Sequence, residues 1–291
     1  MNKRKKKRIV LSLLFAVLVA LAVWIVWGNT ALELNTYTIT TSRLPKNFDG
    51  YRIAHVSDLH NAQMGADNEK ILSMLWEAEP DMIAITGDLI DSDNTNVEIA
   101  LQFVQEAVKI APCYYVTGNH EAQVNAYEEL QDGLISAGVV ILADDSAEIC
   151  VDGEVITLIG VHDPSFRTDF SQGDSEALMQ SKLSELYINR DTFTVLLSHR
   201  PELFDTYVDY GFDLVLSGHA HGGQFRLPFI GGVVAPGQGF FPEFDAGIYT
   251  EGNTNMLVSR GIGNSIIPLR INNRPEIILI EIKSAEQSNK K

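Results

Sequence analysis

Five short polar motifs, each placed directly after a run of apolar and often β-branched residues, constrain this chain more than any other feature. They are Asp58-Leu59-His60, Gly87-Asp88, Gly118-Asn119-His120-Glu121, Ser198-His199 and Gly218-His219-Ala220-His221. The preceding runs, Arg52–Ser57, Met82–Thr86, Tyr114–Thr117, Thr192–Leu197 and Asp213–Leu216, read as short buried strands. Ligands at the C-terminal ends of successive strands can converge in one cleft although distant in sequence. Each motif carries carboxylate, amide or imidazole donors, the set a two-metal hydrolytic site needs.

Helical patterns lie between the first strands. Lys70–Ala78 stops before Pro80, Val97–Ile110 is broken by Pro112, and Ala126–Ala137 is closed by Gly138. This alternation of strand and helix predicts parallel βαβ units. The texture then changes. Val139–Leu142, Ala147–Val151 and Val155–Val161 read as short strands, with Asp152-Gly153 as a hairpin turn. Ser175–Leu186 reads as a helix; Gly247–Thr250, Asn255–Val258 and Glu276–Glu281 are further strands, and Ser284–Lys291 is a polar tail expected to be disordered. No repeat or linker divides the body. The fold class expected is α/β with α+β character: two packed sheets with flanking helices.

The amino terminus carries a separate signal. Residues 1–8 hold six cations, and Ile9–Gly28 follows without a charge. Twenty residues at a helical rise of about 1.5 Å span roughly 30 Å, the thickness of a bilayer core. Trp24 and Trp27 suit an interfacial aromatic belt. A cleaved signal peptide with Ala20-Leu21-Ala22 at its end competes, but the apolar run continues through Trp27 and favours an uncleaved anchor. The division expected is therefore a basic cytoplasmic tail (1–8), a single-pass anchor (9–28), a juxtamembrane segment with a first strand (29–50), an extracytoplasmic body (51–283) and the tail (284–291). Asn35–Thr41 is that first strand.

The formal net charge is −16, and the 16 basic against 38 acidic residues beyond Arg8 leave the remainder at −22. So acidic a body does not suit nucleic acid, which demands phosphate neutralisation. Cys113 and Cys150 are too few for a cysteine zinc cluster; they form one bridge or two buried free thiols.

Taken singly, the motifs are weak. An Asp-x-His can be a surface pair, a Gly-Asp can cap a turn, and a His-x-His is often structural. Together they differ: five of seven histidines, His60, His120, His199, His219 and His221, sit at ends of expected strands. Imidazole with carboxylate and amide oxygen suits Mn, Fe, Zn, Co or Ni rather than calcium. His55, inside a strand, reads as a core histidine. His162-Asp163 suits cleft contact and structural hydrogen bonding equally. The Phe- and Gly-rich stretch 225–244 could roof the cleft or touch lipid, but packing of its aromatics onto the body is the favoured expectation.

The five blocks, in this order, resemble the calcineurin-like metallophosphoesterase superfamily over about Arg52 to Gln224. The anchored layout, the Gly-His-Ala-His-Gly-Gly-Gln run and the glycine-rich Ser259–Gly263 resemble its membrane-associated bacterial phosphodiesterase branch. The resemblance implies a four-layer sandwich of two mixed sheets flanked by helices. It implies one metal on Asp58, His60, Asp88 and His221, and a second on Asp88, Asn119, His199 and His219, with manganese the leading choice. His120 would face the substrate as acid or electrostatic stabiliser. Glu121, Arg200 and Gln224 receive no ligand role. The reaction implied is in-line attack on a phosphoester by a hydroxide bridging the metals. Because Arg200 is the one cation within the motifs, diesters are favoured over monoesters; a non-catalytic metal-binding scaffold is the other alternative. A lipid or envelope-linked phosphoester suits a tethered body.

Overall fold

The computed structural model describes residues 3–166, 175–186, 191–264 and 267–285. The first sheet contains β1 (Glu33–Thr41), β2 (Tyr51–Val56), β3 (Met82–Thr86), β4 (Cys113–Val116) and β5 (Val140–Ile141). The second holds β6 (Asp145–Val151), β7 (Glu154–Gly160), β8 (Thr194–Leu197) and β9 (Leu214–Ser217). Two small ribbons follow, β10 (Arg226–Leu227) with β11 (Gly231–Gly232), and β12 (Val234–Ala235) with β13 (Gly239–Phe240). β14 (Gly247–Glu251) and β15 (Thr254–Val258) extend the second sheet, and β16 (Glu276–Ser284) returns to the first. The helices are α1 (Lys3–Thr30), α2 (Glu69–Ala78), α3 (Val97–Ala107), α4 (Tyr127–Ala137), α5 (Ser175–Glu185) and α6 (Phe204–Tyr210).

Both sheets have six strands and are mixed. The first runs β1-β16-β2-β3-β4-β5, with β2 through β5 parallel and β16 antiparallel to β2. The second runs β14-β15-β9-β8-β7-β6, with its four central strands parallel and both edges antiparallel. Their central strands are apolar on both faces because both faces are covered. In β3, Met82 and Ala84 pack against the opposite sheet, among Phe48, Leu158, Val195 and Leu216. Ile83 and Ile85 face the other way, among Ile71, Leu75, Phe103 and Leu134 of α2, α3 and α4. On the second sheet, Ile159, Leu196 and Val215 face Met179 and Leu183 of α5 and Tyr207 of α6. The order of layers is helices, sheet, sheet, helices, as the sequence resemblance implies.

The expected parallel βαβ units are present from β2 to β5. α3 ends at Ala107, earlier than expected. β16 continues to Ser284, so this residue belongs to the sheet rather than to the expected polar tail; residues 286–291 lie outside the described ones. The cysteine expectation needs correction. Both thiols are free, and Cys113 is buried, but Cys150 is exposed because it points outward from the edge strand β6.

α1 has 28 residues and no buried one, and is the only helix among the described residues long and apolar enough to cross a membrane. Its foot is tied to the body. Asn29 donates through Nδ2 to the Arg270 carbonyl at 2.9 Å and accepts from the Arg270 amide at 2.8 Å. The Arg274 guanidinium stacks 4.6 Å from the centre of the Trp27 ring.

Candidate metal centre

The five motifs meet where the C-terminal ends of β2, β3 and β4 face those of β8 and β9. Backbone hydrogen bonds set the loops side by side. The Asp58 amide donates to Gly87 O at 3.1 Å and the His60 amide to Asp88 O at 2.9 Å. Space is tight: a Cβ on Gly118 would lie 2.2 Å from Asp88 Oδ1. Asp58, His60, Asp88, His219 and His221 all adopt positive φ, between 44° and 66°. Such left-handed conformations cost about 1–3 kcal/mol each and persist where surrounding structure over-determines them. Five in one cleft mark a constructed site.

The side chains form two clusters. Asp58, His60 and His221 make one, Asp88, His199 and His219 the other, all buried. His60 Nε2 lies 3.1 Å from His221 Nε2, and His199 Nε2 lies 3.2 Å from His219 Nδ1. Asp88 stands between them: its Oδ2 is 3.5 Å from His60 Nε2 and 3.2 Å from His199 Nε2. The other oxygen, Oδ1, accepts from the His120 amide at 2.9 Å, which holds the carboxylate in this orientation. Asp58 Oδ1 is 3.5 Å from His221 Nε2 and 3.8 Å from His60 Nε2.

This donor set fits divalent cations. Buried polar atoms are paired in nearly every protein, yet Asn119 Oδ1 is buried without a partner. His199 Nδ1 donates to the Thr86 carbonyl at 2.7 Å, so it is Nε2 of the neutral ring that offers a lone pair toward the centre, its proton in the charged ring being the one a cation would displace. Electrostatics tell the same story. Burial disfavours charge on every imidazole here. Against it, the aspartates hold His60 up to about 9 and His199, chiefly through Asp88, up to about 10. Burial takes His221 down to about 3, aided by neighbouring His60 and Arg270, and also takes His219 well down, with Arg200 and His199 contributing. Despite burial, the imidazoles draw both aspartates well below the usual carboxylate range. Without cations, positive charge collects on one imidazole of each cluster.

His120 joins at the side, its ring 4.5 Å from that of His60 and edge-on to it. Its Nδ1 accepts from the Ser92 amide at 2.9 Å. Burial lowers its pKa. Asp91, which sequence reasoning missed, brings Oδ2 to 3.3 Å from His60 Nδ1 and 3.8 Å from His120 Nδ1. Its signal was the spacing Gly87-Asp88-x-x-Asp91, one turn beyond a ligand. Glu121 Oε2 accepts from the amides of Asp88 at 2.9 Å and Gly118 at 2.7 Å, pinning two ligand loops together. Its burial, with Asp88 nearby, raises its pKa to about 7.

Arg200 grips Asp163 with Nε and Nη2 and brings Nη1 to 2.9 Å from His219 Nε2. The fully buried Arg270 donates to Asn264 Oδ1 and Arg260 O and brings Nη2 to 3.5 Å from His221 Nδ1. Nothing in the local sequence marks Arg270. Gln224 is structural, its Nε2 donating to the carbonyls of Ile267 and Leu269. His55 is the expected core histidine, bonded to Thr86 Oγ1 at 2.7 Å. His162 bonds Thr117 Oγ1 at 2.9 Å and lines a separate cavity with Asp144, Phe166 and Lys182.

Over residues 51–223 the chain matches the calcineurin-like phosphoesterase family. It is 30% identical over 265 residues to the uncharacterized metallophosphoesterase YkuE of Bacillus subtilis, covering 87% of this chain and 86% of that one. It is 27% identical over 237 residues to the phosphodiesterase YaeI of Escherichia coli, covering 80% and 82%. It is 30% identical over 262 residues to a zebrafish (Danio rerio) protein named for a transmembrane segment with a metallophosphoesterase domain, covering 85% of this chain and 56% of that one. With the five motif blocks gathered in one buried cleft, the chain belongs to the calcineurin-like phosphoesterase family, a family of metal-dependent hydrolases.

Proposed function

We propose that this protein is a membrane-tethered phosphodiesterase working with two divalent transition ions, manganese the leading choice. The observation that carries the dinuclear reading is the position of Asp88: one carboxylate oxygen faces both imidazole clusters. In this reading Asp58, His60, Asp88 and His221 hold one ion, and Asp88, Asn119, His199 and His219 the other. Two ions so held supply Lewis acidity that activates water and offsets charge on the phosphoryl oxygens.

The chain's own residues do the rest. The Ser92 amide donates to His120 Nδ1, so the neutral ring carries its proton on Nε2. A neutral imidazole is a very weak acid but a good hydrogen-bond donor. This supports His120 as a donor to a phosphoryl or leaving-group oxygen, stabilising charge rather than surrendering a proton. Arg200 is committed to Asp163, which supports a monoanionic diester over a dianionic monoester. α1 and the relative named as transmembrane support the tether, with residues 1–8 cytoplasmic and the body outside.

The test is a substrate screen of the full-length, Mn-loaded protein in nanodiscs, with diester, monoester and lipid-phosphate substrates. Turnover of diesters over monoesters is expected; the reverse preference overturns the diester reading, and metal uptake without any hydrolysis overturns the enzyme reading. Protease added to intact cells should reach the body; protection would reverse the orientation.

A further inference from the structure

The stretch 225–244 contradicts its sequence expectation in part. Phe244 packs as expected, 5.5 Å from the Phe204 ring and 5.1 Å from that of Tyr249. Other apolar side chains of the same segment do not. Phe229 is fully exposed, Phe240 is 78% exposed, and Ile230 and Phe241 are each more than 60% exposed. Elsewhere on the body, exposed large apolar residues such as Trp76 and Ile135 are scattered singly, which is ordinary. Four large exposed apolar side chains gathered in one short segment are different, since concentrated exposed apolar surface marks an interaction site.

The place of these ribbons in the fold says what the partner is. Phe229 and Ile230 lie in the turn joining β10 to β11; Phe240 and Phe241 end the second ribbon, with the Phe241 amide donating to Val233 O at 2.8 Å. The base of the first ribbon is joined to the foot of α1. Phe225 bridges to Ile271, the Arg226 carbonyl accepts from Asn272 Nδ2, and Arg270, the residue before Ile271, exchanges hydrogen bonds with Asn29 of the helix. Trp24 and Trp27 share a cavity of about 230 Å³ with Arg270, Asn272 and Arg274 at that foot. The ribbons are also the roof of the metal centre: a Cβ on Gly237, in the turn between β12 and β13, would lie 3.6 Å from His219 Nε2.

We infer that the exposed apolar side chains of the two ribbons, Phe229-Ile230 in the turn of the first and Phe240-Phe241 at the open end of the second, dock into the lipid interface beside the anchor, so that the mouth of the metal centre opens at headgroup level. The inference rests on the proposed tether and deepens it. Aromatic and aliphatic side chains buried in an interface sit about 5–10 Å into the boundary between headgroups and acyl chains. α1 brings the body to the membrane; the ribbons fix which side of it faces the lipid. The substrate class that follows is a phosphoester whose phosphate lies at the bilayer surface.

The test uses the full-length chain with Cys150→Ser, reconstituted in bilayers and carrying one environment-sensitive fluorophore at a time through Phe229→Cys, Phe240→Cys, Val19→Cys or Ile135→Cys. Lipids carry a nitroxide quencher either high on the acyl chain or near its methyl end. Labels at 229 and 240 should be blue-shifted and quenched more by the shallow nitroxide, and the label at 19 more by the deep one. The label at 135, as exposed and apolar in origin, should be quenched by neither. Equal, weak quenching at 229, 240 and 135 overturns the docking surface; if 19 is quenched in that experiment, the anchor survives. Quenching at 229 and 240 without 19 supports the surface and overturns the span. Blue-shifted labels at 229 and 240 that neither nitroxide quenches would mean a second copy of this chain covers the patch, and would also overturn the proposal.

Discussion

The floor and the roof of the metal centre are both irregular, glycine-rich backbone, and they are built on opposite principles. In the floor, the loops after β2, β3, β4, β8 and β9 bury their polar side chains and tie them to backbone amides; Glu121 alone accepts from three amides, those of Asp88, Ile90 and Gly118. In the roof, the ribbons hold their short pairings but present phenylalanines outward. A buried polar network is costly unless fully satisfied and rigid once it is. An exposed apolar tip costs little in the fold and offers surface to a partner. The floor therefore determines chemistry by geometry, and the roof determines what can approach.

Breaking the floor at its centre should have the largest effect. Asp88→Ala removes the carboxylate whose Oδ2 lies within 3.5 Å of an imidazole in each cluster. Elemental analysis of the variant should find both ions lost. A metal pair contributes several kcal/mol to phosphoryl transfer, so activity should fall by about 10³-fold or more. Full occupancy by two ions would refute the bridging role.

His120 tests the catalytic edge of the same floor. His120→Asn should retain both ions, because its side chain belongs to neither cluster around Asp88. Activity should drop by about 10²–10³-fold, the loss expected for one pre-organised donor. With the proton fixed on Nε2 by Ser92, the loss should be similar for alkoxide and nitrophenolate leaving groups. A loss confined to poor leaving groups would restore His120 as a proton donor, and loss of metal would make it a ligand.

Glu121 tests whether the floor depends on its supports. Glu121→Gln keeps the shape but replaces one accepting oxygen with a donor facing backbone amides. Metal affinity, measured by competition with a chromophoric chelator, should weaken by about 10–100-fold, as for other groups that orient ligands. Unchanged affinity would show that the Asp88 and Gly118 loops hold their places without it.

Legibility in sequence follows the same division. The floor was readable because its ligands sit where apolar runs end, and strands buried on both faces give the plainest pattern a chain can show. Hence β3 begins and ends where Met82 and Thr86 suggested. The supports were less readable. Glu121 falls within a motif that gives it no ligand role, Asp91 is marked only by its spacing from Asp88, and Arg270 reaches His221 from a segment 49 residues away. The closure of the first sheet by β16 between β1 and β2 depends on pairings such as Leu34 with Ile277 and His55 with Ile278, which no local pattern encodes. Cys150 was misjudged because an edge strand turns alternate residues outward. The roof misled for a related reason: Phe and Ile ordinarily signal burial, and only the geometry of the short ribbons shows them outside.

The smallest expected effect lies in the roof and sharpens the contrast most. Phe229→Ser in the full-length chain removes a large side chain that makes no buried contact. Core truncation of a phenylalanine costs about 3–5 kcal/mol, but at this position stability should stay within about 0.5 kcal/mol of the parent, as for surface changes away from special features. Both ions should remain. Denaturant unfolding in detergent, with metal content read in parallel, checks this. The comparison has a counterpart in the floor: Gly118→Ala adds a single carbon, yet places it 2.2 Å from Asp88 Oδ1 and 2.6 Å from the Asp88 amide, and should cost about 1–3 kcal/mol through overpacking. A loss from Phe229→Ser as large as that from Gly118→Ala would mean the ribbon tip packs against protein in solution, and the distinction between a floor built for chemistry and a roof built for contact would fail.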